Sequence, residues 1–232
     1  MDENSNHYGG SVNYLDYVLL HQLSEISPHR IVDFGAGRGK NGKYIRSLFK
    51  KDCEIHAVEG YEPTVQMLKL SGIYDEVHQS LIQEWVKKHK ECYDLAVFGD
   101  VLEHLTPSEI HNTIKSAILS FDYIIIVVPL YDLLQGEIYG NHLEVHKSFI
   151  TEKFFDRYHP LEKHIRVGKT KQASDGYTIM NVLITRKRAK SSFFEVFKIK
   201  VIRFLLPILV PVGLGRTFMS FIFFIKRILN MS

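Results

Sequence analysis

"IVDFGAGRGKNG", residues 31–42, places four glycines and one acid directly behind an apolar dipeptide. A short apolar run that breaks into glycines and then resumes with helix-compatible residues is a strand–turn–helix junction. Its backbone N–H groups can meet a ligand closely because no Cβ stands in the way. Three kinds of ligand use such a turn, and the rest of the chain has to choose among them.

Outward from this turn, the first 185 residues alternate apolar runs with amphipathic stretches, the pattern of a mostly parallel sheet with helices on both faces. Strands are predicted at 30–34, 54–58, 75–78, 93–98 and 121–128, with helices at about 40–50, 62–71, 81–90 and 107–119. Thr106, Pro107 and Glu109 supply an N-cap, a first-turn proline and a capping-box acid for the last of these helices. Val12, Leu15, Leu19, Leu23 and Ile26, behind a possible cap at Ser11, predict a helix ahead of the first strand. A helix near 150–157 and strands near 161–168 and 177–186 complete the pattern, the last two joined by "KTKQASDGYT" as an antiparallel hairpin. The twenty or so residues after the fifth strand include "HLEVH", and connections of that length usually serve function.

At 232 residues and 45% hydrophobic content, the chain suits one domain with a small appendage. Cys53 and Cys92 stand apart from each other and from any zinc-like spacing, which argues against a disulfide framework or a zinc site. The polar, acidic start lacks the features of a signal peptide, so a cytoplasmic location is expected. The net charge of +3 conceals an asymmetry: residues 1–185 balance to −6 and residues 186–232 to +9. The expected division is therefore 1–186 as the folded domain and 187–232 as a tail.

An ATP-binding P-loop is excluded, because no Ser or Thr follows Lys40 or Lys43 where a magnesium ligand would be needed. Gly37, Gly39 and Gly42 match the dinucleotide pattern GxGxxG, which alone is weak evidence. The acids around the turn discriminate better. Asp33 precedes it, Glu59 ends the second strand in "AVEG", and "GDVLEHL", residues 99–105, ends the fourth. As a set these motifs resemble those of class I S-adenosylmethionine-dependent methyltransferases over roughly residues 10–186. The resemblance implies a Rossmann-like, mostly parallel seven-stranded sheet with a final antiparallel hairpin. It also implies S-adenosylmethionine as cofactor, approached by Gly35, Gly37 and Gly39. A carboxylate suits its cationic sulfonium and amino group better than a pyrophosphate, which gives Asp33 a role. By the same resemblance Glu59 takes the ribose, Ser80 and Leu81 the adenine, and Asp100 belongs to the cofactor-binding set.

The motif [DN]PP[YF], which follows the fourth strand in many enzymes that methylate base or amide nitrogen, is absent. A hydroxyl acceptor is favoured and requires a base, with His104, His142 and His146 as candidates. "GNHLEVHKSFITEKFF" is similar to a stretch of bacterial surface-glycan methyltransferases at Asn141, Glu144 and His146, making His146 the first choice and His104 the second. His142, Glu144 and His146 would share a face if extended. A metal there is nevertheless not expected, since no fourth ligand is evident and this chemistry usually proceeds without one.

Phe204 to Ile225 carries a single charge, Arg216, and would measure about 33 Å as one helix. Pro207, Pro211, Gly213 and Gly215 interrupt it, and a central arginine costs about 2.5 to 3.5 kcal/mol on insertion scales. Two short apolar helices flanked by basic residues are expected to bind a membrane surface through residues 191–229. A single spanning helix and a tail that mediates a homo-oligomer are the alternatives. The expected partners are a small-molecule or lipid-linked glycan acceptor and the membrane, with no nucleic acid. Methylation of a lipid or quinone precursor, or a non-catalytic cofactor-binding scaffold at a membrane, remain as other readings.

Overall fold

The computed structural model describes residues 15–89, 91–131, 135–138, 140–168 and 177–186. They divide into two compact units, residues 16–27 and the remainder. The smaller is a single helix, α1 (Asp16–Ile26), in which Leu19 and Leu23 are buried as their spacing predicts. The expected tail, the cap at Ser11 and the connection 169–176 lie outside the described residues.

The larger unit runs β1 (Arg30–Phe34), α2 (Lys40–Phe49), β2 (Glu54–Glu59), α3 (Glu62–Ser71), β3 (Glu76–Gln79), α4 (Ile82–Lys88), β4 (Tyr93–Gly99), α5 (Pro107–Ser120), β5 (Phe121–Leu130), β6 (Glu162–Gly168) and β7 (Tyr177–Thr185). Seven strands form one sheet in the order β3-β2-β1-β4-β5-β7-β6. The first five are mutually parallel and β7 runs antiparallel to both neighbours. This is the architecture that the sequence motifs imply. The order reverses between β1 and β4, and ligands of open α/β sheets bind beyond the strand ends at such a point.

The core explains why these runs are strands. Phe34 and Phe98 are register partners on β1 and β4, and their rings stack at 4.6 Å. Trp85 from α4 meets the Phe34 edge at 5.4 Å. Ile110, Ile114 and Ala117 bring α5 into the same cluster. At the start of α5 the Thr106 hydroxyl accepts from the Glu109 N–H, and the Glu109 carboxylate accepts from the Thr106 N–H at 2.8 Å, the reciprocal cap that the sequence specifies.

One expected element is missing. Residues 152–155 form turns and Asp156–Tyr158 a single 3-10 turn, where a helix was expected near 150–157. Ile150 and Phe155 are both buried, and residues five apart lie about 140° apart around an α-helix. Burying both toward one core requires a looser path.

Candidate functional site

Beyond the C-terminal ends of β1, β2 and β4 lies a cavity of about 660 Å³, a volume suited to a drug-sized ligand. Gly35, Gly37, Glu59, Ser80, Leu81, Asp100, His104 and His146 line it. The expected site residues therefore converge, with two exceptions. Asp33 and Gly39 are not on the wall.

The floor is the glycine turn. Gly35 has φ +64, and a Cβ there would come within 2.3 Å of the Val101 side chain, so only glycine lets β1 turn beneath the end of β4. Gly42, inside α2, faces the Tyr74 ring, where a Cβ would come within 2.5 Å. That close approach brings the Tyr74 hydroxyl to the Asp33 carboxylate, to which it donates at 2.7 Å. Asn41 donates to the other carboxylate oxygen at 3.2 Å. Asp33 is thus fully buried and engaged with protein partners. This corrects the expectation that it faces the ligand. Burial pushes its pKa up to about 6, against the opposing hydrogen bonds from Tyr74 and Asn41.

Glu59 takes the half-buried position on the cavity wall. One carboxylate oxygen accepts from the Gly37 N–H at 3.0 Å and the other from the Tyr61 N–H at 2.9 Å, so the end of β2 braces the glycine turn. Ser80 donates its N–H to the Glu59 carbonyl at 3.0 Å, which sets the Ser80–Leu81 pair at the neighbouring strand end. Asp100 has φ +49, a left-handed conformation rare outside glycine and concentrated at functional sites, and its N–H donates to Val127 at 2.8 Å.

The roof is made of residues 135–138 and 140–148. Asn141 caps a 3-10 turn, His142–Glu144, by accepting from the Leu143 N–H at 3.1 Å, and its amide reaches the Glu144 carboxylate at 3.3 Å. Because this stretch turns, His142, Glu144 and His146 do not form the single extended face considered for a metal. Glu103, His104 and His146 approach one another instead, with ligand atoms within 4.8 Å, and could together hold a cation. The Lys147 and Ser148 N–H groups donate to the Glu103 carbonyl at 2.8 and 3.1 Å, while the His146 N–H donates to Gln135 at 3.0 Å. These bonds set the His146 ring 5.0 Å from that of His104.

Burial and, secondarily, His146 depress the His104 pKa to about 4, although the Val145 and Glu144 carbonyls oppose the shift. Its imidazole is neutral at physiological pH and a weak proton acceptor. Glu144 is shifted upward, chiefly by burial and then by Glu59. Sequence reading did not single out Asn41, Tyr74, Gln135 or Glu103 as positioning groups. Only the tripeptide "KNG" at 40–42 offered a signal for Asn41.

No protein-family model and no curated protein sequence matches the chain. Solved structures do match. TehB from Haemophilus influenzae superposes with a TM-score of 0.57 at 19% identity, over 80% of this chain and 64% of that one. A SAM-dependent methyltransferase from Archaeoglobus fulgidus gives 0.51 at 17% identity, over 75% and 94%. The N-terminal domain of EvdMO1, in the presence of SAH and D-fucose, gives 0.54 at 13%, over 81% and 89%. Likeness at such identity carries the fold alone, and that fold is the one S-adenosylmethionine-dependent methyltransferases adopt.

Proposed function

We propose that the chain is a class I S-adenosylmethionine-dependent methyltransferase that methylates a hydroxyl group. The observation that carries this reading is the carboxylate of Glu59 on the Gly37 N–H. In a dinucleotide site the amides of such a turn face a pyrophosphate. Here an acid occupies one of them, and Asp100, Glu103, Glu109 and Glu144 also line the cavity, against Arg38, Lys40 and Lys147. That lining favours a cationic ligand. The open space around Gly37 and the cavity volume fit S-adenosylmethionine.

S-adenosylmethionine, when bound, supplies an activated methyl group and a neutral thioether leaving group, which leaves the protein mainly a positioning task. Glu59 orients the ribose and steadies the turn, and Ser80 and Leu81 border the adenine. His146 accepts the proton of the acceptor hydroxyl, since His104 is too weak a base. The neutral His104 holds the partner ring in place from 5.0 Å.

The acceptor we infer is a glycan or lipid-linked sugar close to a membrane. The +9 balance of residues 186–232 and the apolar runs within them support this, as does the crystallisation of one protein of this fold with SAH and D-fucose. Among the described residues no helix is long and apolar enough to cross a membrane. The tail is read as a monotopic anchor, and 1–186 as the catalytic domain.

Calorimetry with S-adenosylmethionine and NADH tests the cofactor. Binding of the former alone, weakened about 10- to 100-fold in Glu59→Ala, is expected from the loss of a charged acceptor. Binding of NADH alone overturns the reading. Radiolabelled methyl transfer into a membrane extract, followed by separation of glycan from lipid, identifies the acceptor class. Sedimentation of the full chain with anionic liposomes tests the anchor.

A further inference from the structure

Away from the cavity, β2 and the edge strand β3 bring together His56, Glu76 and His78. In the parallel register His56 lies beside Glu76, and Val58 beside His78. Strand alternation therefore puts all three side chains on one face, where the His78 ring lies 5.7 Å from Trp85 of α4. Their ligand atoms lie within 4.8 Å of one another.

The separations have a specific meaning. His56 Nδ1 and His78 Nε2 are 3.5 Å apart, and His78 Nε2 is 3.3 Å from a Glu76 carboxylate oxygen. Two ligands that each stand about 2.0 to 2.1 Å from a tetrahedral zinc ion are about 3.4 Å apart. The tautomer fits as well. His56 Nε2 lies 2.7 Å from a Glu54 carboxylate oxygen, and a carboxylate only accepts, so the proton sits on Nε2 and Nδ1 keeps its lone pair, which faces His78 Nε2 at 3.5 Å and the Tyr93 hydroxyl at 3.3 Å, the donor that a bound ion would displace. A carboxylate behind the far nitrogen of an imidazole is how metal-binding histidines are oriented. His56 is buried while the Glu76 side chain is 58% exposed, which leaves a path for an ion to enter.

We propose that His56, Glu76 and His78 bind Zn²⁺, with water as fourth ligand, and that the ion ties the edge strand to the sheet. Two imidazoles and a carboxylate suit zinc and exclude a preference for magnesium or calcium. The strand it holds has only four residues, Glu76–Gln79, and none of them is fully buried. Its far end leads into Ser80, so the ion steadies one border of the cavity without entering it.

The test is thermal unfolding of the full-length protein, stripped with a chelator and titrated with Zn²⁺. A hundredfold excess over Kd raises Tm by about 5 °C or more, and His78→Ala and Glu76→Gln each remove the rise. Co²⁺ in place of zinc gives the intense visible absorption of tetrahedral coordination. No shift in the wild type, a shift that survives both substitutions, or one lost only in His146→Ala overturns the proposal. So does a weak, octahedral-type Co²⁺ spectrum. Glu76→Gln keeps the test valid should His78→Ala not fold, because its side chain is largely in solvent. Cofactor binding to metal-free protein is a separate measurement, so the zinc site and the methyltransferase reading stand or fall independently.

Discussion

The floor and the roof of the cavity obey different rules. The floor, residues 33–42 with the ends of β2 and β4, is made of backbone turned by glycine and braced by the Glu59 carboxylate on the Gly37 N–H and by Tyr74 on Asp33. The roof, residues 135–138 and 140–148, is irregular. It is held by bonds that span long stretches of chain: Lys147 and Ser148 N–H to the Glu103 carbonyl, and the Ser148 hydroxyl to the Leu105 carbonyl. The two meet where a Cβ on Gly60 would come within 2.8 Å of Leu143. A local motif makes a rigid ligand cradle, whereas a docked loop brings in the groups that touch a variable acceptor.

The largest expected effect breaks the floor. Gly35→Ala forces a Cβ onto Val101 at a left-handed φ and should cost about 3 kcal/mol or more of stability, read by chemical denaturation. A change under about 1 kcal/mol would mean that the turn is not rigid.

His146→Ala tests the roof next. Turnover should fall about 10²-fold or more with cofactor affinity unchanged, since the base acts on the acceptor alone. A parallel loss of cofactor affinity would mean that roof and floor are not separable.

Asp33→Asn separates the two acids of the floor. The carboxyl of Asp33 is raised to about 6 in the folded state, above its unfolded value, so the native protein holds this proton more tightly than the unfolded chain. Wild-type stability should therefore fall, relative to D33N, as pH rises from about 4 to about 6, by on the order of 2 kcal/mol. Denaturation at several pH values measures this. Calorimetry should find cofactor affinity within a few-fold of wild type, in contrast to Glu59→Ala.

The smallest effect is on the loop itself. Asn141→Ala removes the cap of the 3-10 turn and should cost about 1 kcal/mol. It should raise KM for the acceptor more than it lowers kcat, because it loosens the roof without removing the base.

Most of the fold could be read from local pattern. The glycine turn, the capping box at Thr106 and the apolar run 121–128 each state their element within a few residues, and the mostly parallel seven-stranded sheet with its final antiparallel hairpin followed from the resemblance that the motif set carries. Glu59, Ser80, Leu81 and Asp100, which the resemblance placed at strand ends, do line the cavity. The roles of Asp33 and the histidines were not legible. Whether a carboxylate faces a cavity or an interior tyrosine depends on Tyr74, forty-one positions away along the chain, and no spacing rule near residue 33 reports it.

Sequence by itself determined the sheet, the turn and the acids at the strand ends, because each depends on periodicity, glycine φ or a cap, all short-range properties of the chain. Only the tertiary structure decided that Asp33 turns inward, that 142–144 coils rather than extends, and that His104 meets His146 and His56 meets His78. Those pairings are set by which surfaces pack together and which buried groups then find partners, and that is a property of the whole fold.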